Sequence, residues 1–197
     1  MNFLAHAYLA GPRTELQLGG LIGDFVKGPL PAGLPEAVAA GVRLHRHIDS
    51  FADSHPAFLR SRSRVSAARR RVGGIMVDMF YDHFLARHWQ DYAPDRLEAR
   101  TASLYALMER NRAVLPERFA QILPVMRRGD WLASYASPEA IADALDRMAQ
   151  HRFSRPTTLG GSGEELLAEY AGFEADFRDF LPDALAFSEA WCAQNLD

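Results

Sequence analysis

"GIMVDMFYDHFLARHW", residues 74–89, reads as a helix with almost no polar side. At about 100° per residue, Asp78 and Asp82 lie about 40° apart, in the sector that also holds Ile75, Leu85, Ala86 and Trp89. Met76, Val77, Phe80, Tyr81 and Phe84 cover the remaining arc, so the segment is expected to run through the centre of a helical domain. Two carboxylates on a buried face repel each other, and both lose hydration. Something cationic must compensate. A metal ion, an arginine or a protonated histidine would serve, and His83, about 100° round from Asp82, is a candidate to join them.

The rest of the chain reads as helix too. Segments are expected at about 2–10, 15–26, 35–54, 57–70, 73–91, 95–112, 115–127, 137–150, 164–180 and 183–195. Breakers separate them: Gly11-Pro12, Gly28-Pro29 through Pro35, Gly73-Gly74, Pro94, Gly129, and the run from Pro156 to Gly163. No alternating strand pattern, internal repeat or low-complexity stretch appears. At 197 residues with 48% hydrophobic content, the expectation is a single all-α domain over 1–197, a helical bundle with its chemistry concentrated in 1–90. The formal charge of −3 argues against general binding of nucleic acid. Cys192 stands alone, which excludes a disulfide framework and a thiolate zinc motif and suits a reducing cytoplasm. The start, "MNFLAHAYLAGPRTE", has no basic n-region and is interrupted by His6, so no signal peptide is expected; nor is a membrane-spanning helix.

A second dense stretch is "GVRLHRHIDSFADSHP", residues 41–56, with three histidines and two aspartates. His45, Asp49 and Asp53 fall at i, i+4 and i+8, within about 80° of arc, beside the packing face of Leu44, Ile48 and Phe51. Imidazole and carboxylate at i, i+4 can reach one ion, so His45 and Asp49 are the favoured metal ligands. Two earlier residues qualify: His6, which interrupts an apolar helix, and Asp24, which follows three glycines that permit close approach. Lys27 lies one turn further on. The plainer alternatives are a hydrogen-bonded core His6, a capping Asp24, and Asp78 and Asp82 paired with Arg69, Arg70 or Arg71. Taken together, imidazoles and carboxylates from four apolar settings favour a metal centre. Mixed nitrogen and oxygen donors suit Mn²⁺, Fe²⁺ or Mg²⁺. Neither Glu-x-x-His nor His-Glu-x-x-His occurs.

"MNFLAHAYLA", "LIGDFVKG", "GVRLHRHIDSFADSHP" and "VDMFYDHFLARHW" resemble the acyl carrier protein phosphodiesterases, and "WLASYASPEAIADALDRMAQHR" and "FRDFLPDAL" extend the likeness over nearly the whole chain. That family is an atypical, all-helical branch of the HD-type metal-dependent phosphohydrolases. The resemblance implies hydrolysis of the phosphodiester joining 4'-phosphopantetheine to a serine of acyl carrier protein, a place in fatty acid and lipid metabolism, and a divalent ion, Mn²⁺ before Mg²⁺ or Fe²⁺. The His-Asp dipeptide that names the superfamily is absent; Ile48-Asp49 and Asp82-His83 stand instead. "GDFVKG" nominates Asp24, "LHRHID" His45 and Asp49, and "DMFYDH" Asp78, Asp82 and His83, with His6 a looser candidate. In the mechanism so implied, Asp24, His45, Asp49 and Asp82 supply most of the coordination. His83 or His6 protonates the leaving serine, and Lys27 and Arg46 hold phosphate oxygens.

"LRSRSRVSAARRRVGG", residues 59–74, carries six arginines from Arg60 to Arg71 with no acid among them. It reads either as a solvated helix face or RNA contact, or as a dock for the acidic carrier protein through Arg69, Arg70 and Arg71. "TLGGSGEEL", residues 158–166, lacks the Gly-Lys-Ser/Thr ending of a phosphate loop and reads as a link into a helix. Two other functions stay open: an HD-type phosphohydrolase of a nucleotide or small phosphate ester, and a non-catalytic helical protein that binds acidic partners.

Overall fold

The expected breakers fall between helices or, at Gly73-Gly74 and Gly163, at the start of one. A computed structural model describes every residue except Arg152, Ser154 and Asp197. Among the described residues are twelve α-helices, three short 3-10 turns and no strand. The helices are α1 (Phe3–Leu9), α2 (Thr14–Ile22), α3 (Glu36–Ser54), α4 (Pro56–Arg64), α5 (Gly73–Arg87) and α6 (Trp89–Tyr92). They continue as α7 (Leu97–Arg110), α8 (Glu117–Arg128), α9 (Trp131–Ser134), α10 (Pro138–His151), α11 (Gly163–Ala168) and α12 (Tyr170–Asn195). The 3-10 turns span Gly23–Phe25, Ala67–Val72 and Arg112–Val114. Among the described residues, no helix is long and apolar enough to cross a membrane.

α5 takes the central place its sequence demands. Met76, Val77, Phe80, Tyr81, Phe84 and Leu85 are all buried, and the helix packs on α1, α4, α10 and α12. One hydrophobic cluster runs from Phe3 in α1 to Trp191 in α12.

α2 and α3 cross almost backbone to backbone. A Cβ on Gly19 would sit 2.4 Å from the Val38 carbonyl oxygen, and one on Gly41 would sit 2.6 Å from that of Leu16. Only glycine at both positions allows this approach, and it brings the end of α2 against the middle of α3.

Several boundaries differ from the sequence expectation: the helix expected at 15–26 ends at Ile22, those expected at 73–91 and 164–180 break at His88 and Glu169, and Trp131–Ser134 is an additional short helix. Two further differences have a clear packing cause. The helix expected at 57–70 stops at Arg64, because Val65 turns extended (φ −63°, ψ 134°) and buries its side chain. At the other end, Pro182 does not separate two helices, as the expected segments 164–180 and 183–195 implied; it lies inside the single 26-residue α12. An interior proline removes one helical hydrogen bond and costs about 3 kcal/mol. Around it Phe177, Phe180, Leu181 and Ala184 are buried, and Ser188 Oγ donates to the Leu9 carbonyl at 2.5 Å. Packing on both sides of the proline outweighs the break.

Candidate metal centre

Three N-terminal segments converge at the α2–α3 crossing. His6 from α1 and His45 and Asp49 from α3 bring ligating atoms within 4.8 Å of one another. The two imidazoles stack, with centroids 3.7 Å apart and planes 21° apart. His45 Nδ1 lies 2.9 Å from the Gly20 carbonyl oxygen. A carbonyl can only accept, so Nδ1 carries the proton. Nε2 faces Asp49 Oδ2 at 3.2 Å and Asp24 Oδ1 at 3.8 Å. Gly23 makes room for this ring: a Cβ there would fall 2.3 Å from His45 Cγ. The 3-10 turn begun by Gly23 then presents Asp24. His6 Nε2 lies 3.1 Å from Asp49 Oδ1 and 3.1 Å from the Met1 carbonyl oxygen, whereas its Nδ1 is buried without a hydrogen-bond partner.

The cation that offsets the carboxylates is one that side-chain patterns do not contain. The Met1 ammonium, fully buried, meets Asp78 Oδ1 at 2.6 Å and Asp49 Oδ1 at 3.2 Å. Burial works against its charge, yet Asp78 and Asp49 outweigh that and hold its pKa up at about 11. His45 behaves alike: burial opposes the imidazolium, but Asp24 and Asp49 raise it to about 9. Asp49 stays far below the usual carboxylate range, because His45, His6 and the ammonium outweigh its own burial. Burial and the neighbouring His45 push His6 down to about 3, so its ring is neutral. Burial raises Asp78.

The other expected site residues have different neighbours. Asp82 accepts from the backbone N–H of Leu4 (2.9 Å) with one oxygen and of Ala5 (3.1 Å) with the other. It thus caps α1 from across the core, where Asn2 supplies no side-chain cap. Burial lifts its pKa to about 7, although those two N–H groups pull the other way. His83 donates from Nδ1 to the Tyr135 carbonyl (2.8 Å) and accepts at Nε2 from the Tyr170 hydroxyl (2.9 Å), so both its nitrogens are engaged. Arg46 donates to the carbonyls of Val26 and Gly28 at 3.0 Å each, tying down the loop that carries Lys27. Lys27 itself is exposed.

A sequence profile of the acyl carrier protein phosphodiesterase family matches residues 1–184. The chain belongs to that family. It is similar to the acyl carrier protein phosphodiesterase of Pectobacterium atrosepticum, with 38% identity over 183 residues, 92% of this chain and 94% of that one. The protein of that name from Photorhabdus laumondii is 36% identical over 189 residues, 92% of each chain. That of Escherichia coli O157:H7 is 35% identical over 189 residues, 94% of this chain and 96% of its own. No solved structure matches.

Does a metal of the kind this resemblance implies fit here? The donors are two imidazoles and a carboxylate, close enough to share an ion. His45 pins its second nitrogen to a carbonyl, as metal-ligating histidines commonly do. His6 keeps a buried nitrogen that no protein group satisfies. These residues suit a divalent cation.

The arginine run of this family member changes meaning in three dimensions. Acids meet most of it: Arg60 and Arg64 bind the distant Asp176 (2.8 and 2.9 Å), Arg69 binds the distant Glu165 (3.0 Å), and Arg62 reaches the nearby Asp53 (3.6 Å). Arg69 also donates to the carbonyls of Thr158 and Gly160. Arg70 and Arg71 are exposed.

Proposed function

We propose that this chain hydrolyses the phosphodiester linking 4'-phosphopantetheine to the serine of an acyl carrier protein, leaving apo carrier protein and free phosphopantetheine. The observation that carries the proposal is the meeting of His6, His45 and Asp49 in a chain that matches the phosphodiesterase family over residues 1–184. The all-helical fold is compatible with the HD type.

His6, His45 and Asp49 are the residues proposed to hold a divalent cation, with Asp24 beside His45 and Asp78 reached through the Met1 ammonium. The donor chemistry suits Mn²⁺, with Mg²⁺ and Fe²⁺ as the alternatives. Such an ion supplies Lewis acidity towards a phosphodiester and makes water nucleophilic near neutral pH. The chain's own groups do the rest. Gly20 fixes the His45 tautomer through its carbonyl, so Nε2 faces the centre. Asp82 anchors α1 and with it His6. Lys27 offers its charge to phosphate oxygens, on a loop that Arg46 positions. Docking of the acidic carrier is assigned to Arg70 and Arg71, with Arg69 fastening their segment to Glu165. A cytoplasmic setting agrees with the single cysteine.

The test is a mass measurement of holo carrier protein after incubation with this protein and Mn²⁺, with and without chelator. Loss of the phosphopantetheine mass with Mn²⁺, and no loss with chelator, is expected. An unchanged holo carrier, with cleavage of small nucleotide esters instead, would overturn the assignment.

A further inference from the structure

Asp24 has a second setting besides His45. With Asn2 and Lys27 it lines a cavity of about 590 Å³ that reaches α8, α9 and α10. The size falls in the range of small-ligand sites. The walls are mainly apolar, including Phe25, Ile122, Trp131 and Met148. Three cations line it too: Lys27, Arg118 and Arg147, against the single carboxylate of Asp24. Arg147 lies over the Trp131 ring, 5.1 Å from its centroid, and Arg118 donates to the His151 carbonyl at 2.9 Å, joining α8 to the end of α10.

The phosphodiesterase proposal, on which this inference rests, places two groups at phosphorus. One is a serine on a folded protein, far too large for the cavity. The other is the pantetheine arm, a narrow flexible chain ending in sulfur, to which a carrier protein's acyl group is attached as a thioester. The cations complement the phosphate at the head of the arm. The apolar walls extend beyond what two amides and a thiol require. We propose that this cavity receives the phosphopantetheine arm together with its acyl chain, so that the protein acts on acylated carrier protein and its Ile122 and Met148 set the preferred chain length.

The test is kcat/KM on holo carrier protein and on carriers bearing short, medium and long saturated acyl groups. KM is expected to fall with chain length, by up to about fourfold per buried methylene, and to level off once the cavity is filled. Met148→Trp should bring the levelling to shorter chains and Met148→Ala should extend it. A KM independent of chain length in the wild type and both variants, with holo carrier still cleaved, would overturn the inference and leave the phosphodiesterase proposal standing. Failure to release phosphopantetheine from any carrier would bring down both.

Discussion

His45 is held by one nitrogen and offers the other, and that division governs its response to pH. In metal-free protein its pKa is raised from 6.5 to about 9. The folded chain therefore keeps a proton that the unfolded chain releases in that window. The contribution of His45 to stability is full below pH 6.5 and disappears as pH rises through about 9. Melting curves in chelator should show a falling midpoint across this interval and a flatter profile in His45→Gln; the same slope in both would count against the assignment. A divalent ion needs the neutral ring, so its affinity should rise over the same interval. Asp82 presents the opposite case, a carboxylate whose partners are backbone. Asp82→Ala would leave the Leu4 and Ala5 N–H groups buried and unpartnered, at about 1–3 kcal/mol each. Urea unfolding should register most of that loss, and a change under 0.5 kcal/mol, the ordinary scatter of surface substitutions, would be too small for a cap. The sequence placed Asp78 and Asp82 on one buried face that needs compensation. It did not reveal that chain-end and backbone N–H groups would provide it, because Leu4 and Asp82 are 78 residues apart.

At the scale of elements, the centre exists because glycine lets α2 and the turn after it approach α3. Gly23→Ala would drive its Cβ against the His45 ring. The expected outcome is a retained helical spectrum with metal affinity reduced about 10–100-fold, the usual cost of disturbing a ligand's support. Unchanged affinity, measured by calorimetric titration of Mn²⁺, would contradict the geometry. Gly19→Ala meets backbone instead of a side chain and should lower global stability more. Helices were legible wherever the apolar period was strong, as in α3 and α5. Their ends were legible where glycine and proline cluster. Pro182 misled because the aromatic contacts that carry α12 through it, such as Phe51–Phe180 and Tyr81–Phe180, come from distant helices. The i, i+4 pair His45 and Asp49 was visible within one helix, whereas the partnership with His6 needed the packing of α1 on α2.

Over the whole molecule, charge is arranged differently from its order along the chain. Arg60 and Arg64 of α4 are matched by Asp176 of α12, so Arg64→Glu should destabilise the fold by setting a second carboxylate against that of Asp176. Arg70→Glu with Arg71→Glu should leave stability within about 0.5 kcal/mol. That pair should raise KM for carrier protein and flatten its salt dependence, since screening weakens only charges that steer the encounter. A salt profile identical to wild type would remove these residues from the docking surface. The all-helical class could be read from periodicity alone, but which helices face each other could not, and the centre depends on that arrangement. The most direct measurement is a Mn²⁺ titration followed by electron paramagnetic resonance, on wild-type protein and on His6→Ala, His45→Ala and Asp49→Ala with helical content checked. Bound Mn²⁺ in the wild type, lost together with phosphopantetheine release in all three folded variants, is the predicted result. Full Mn²⁺ binding and turnover in folded His45→Ala would contradict it.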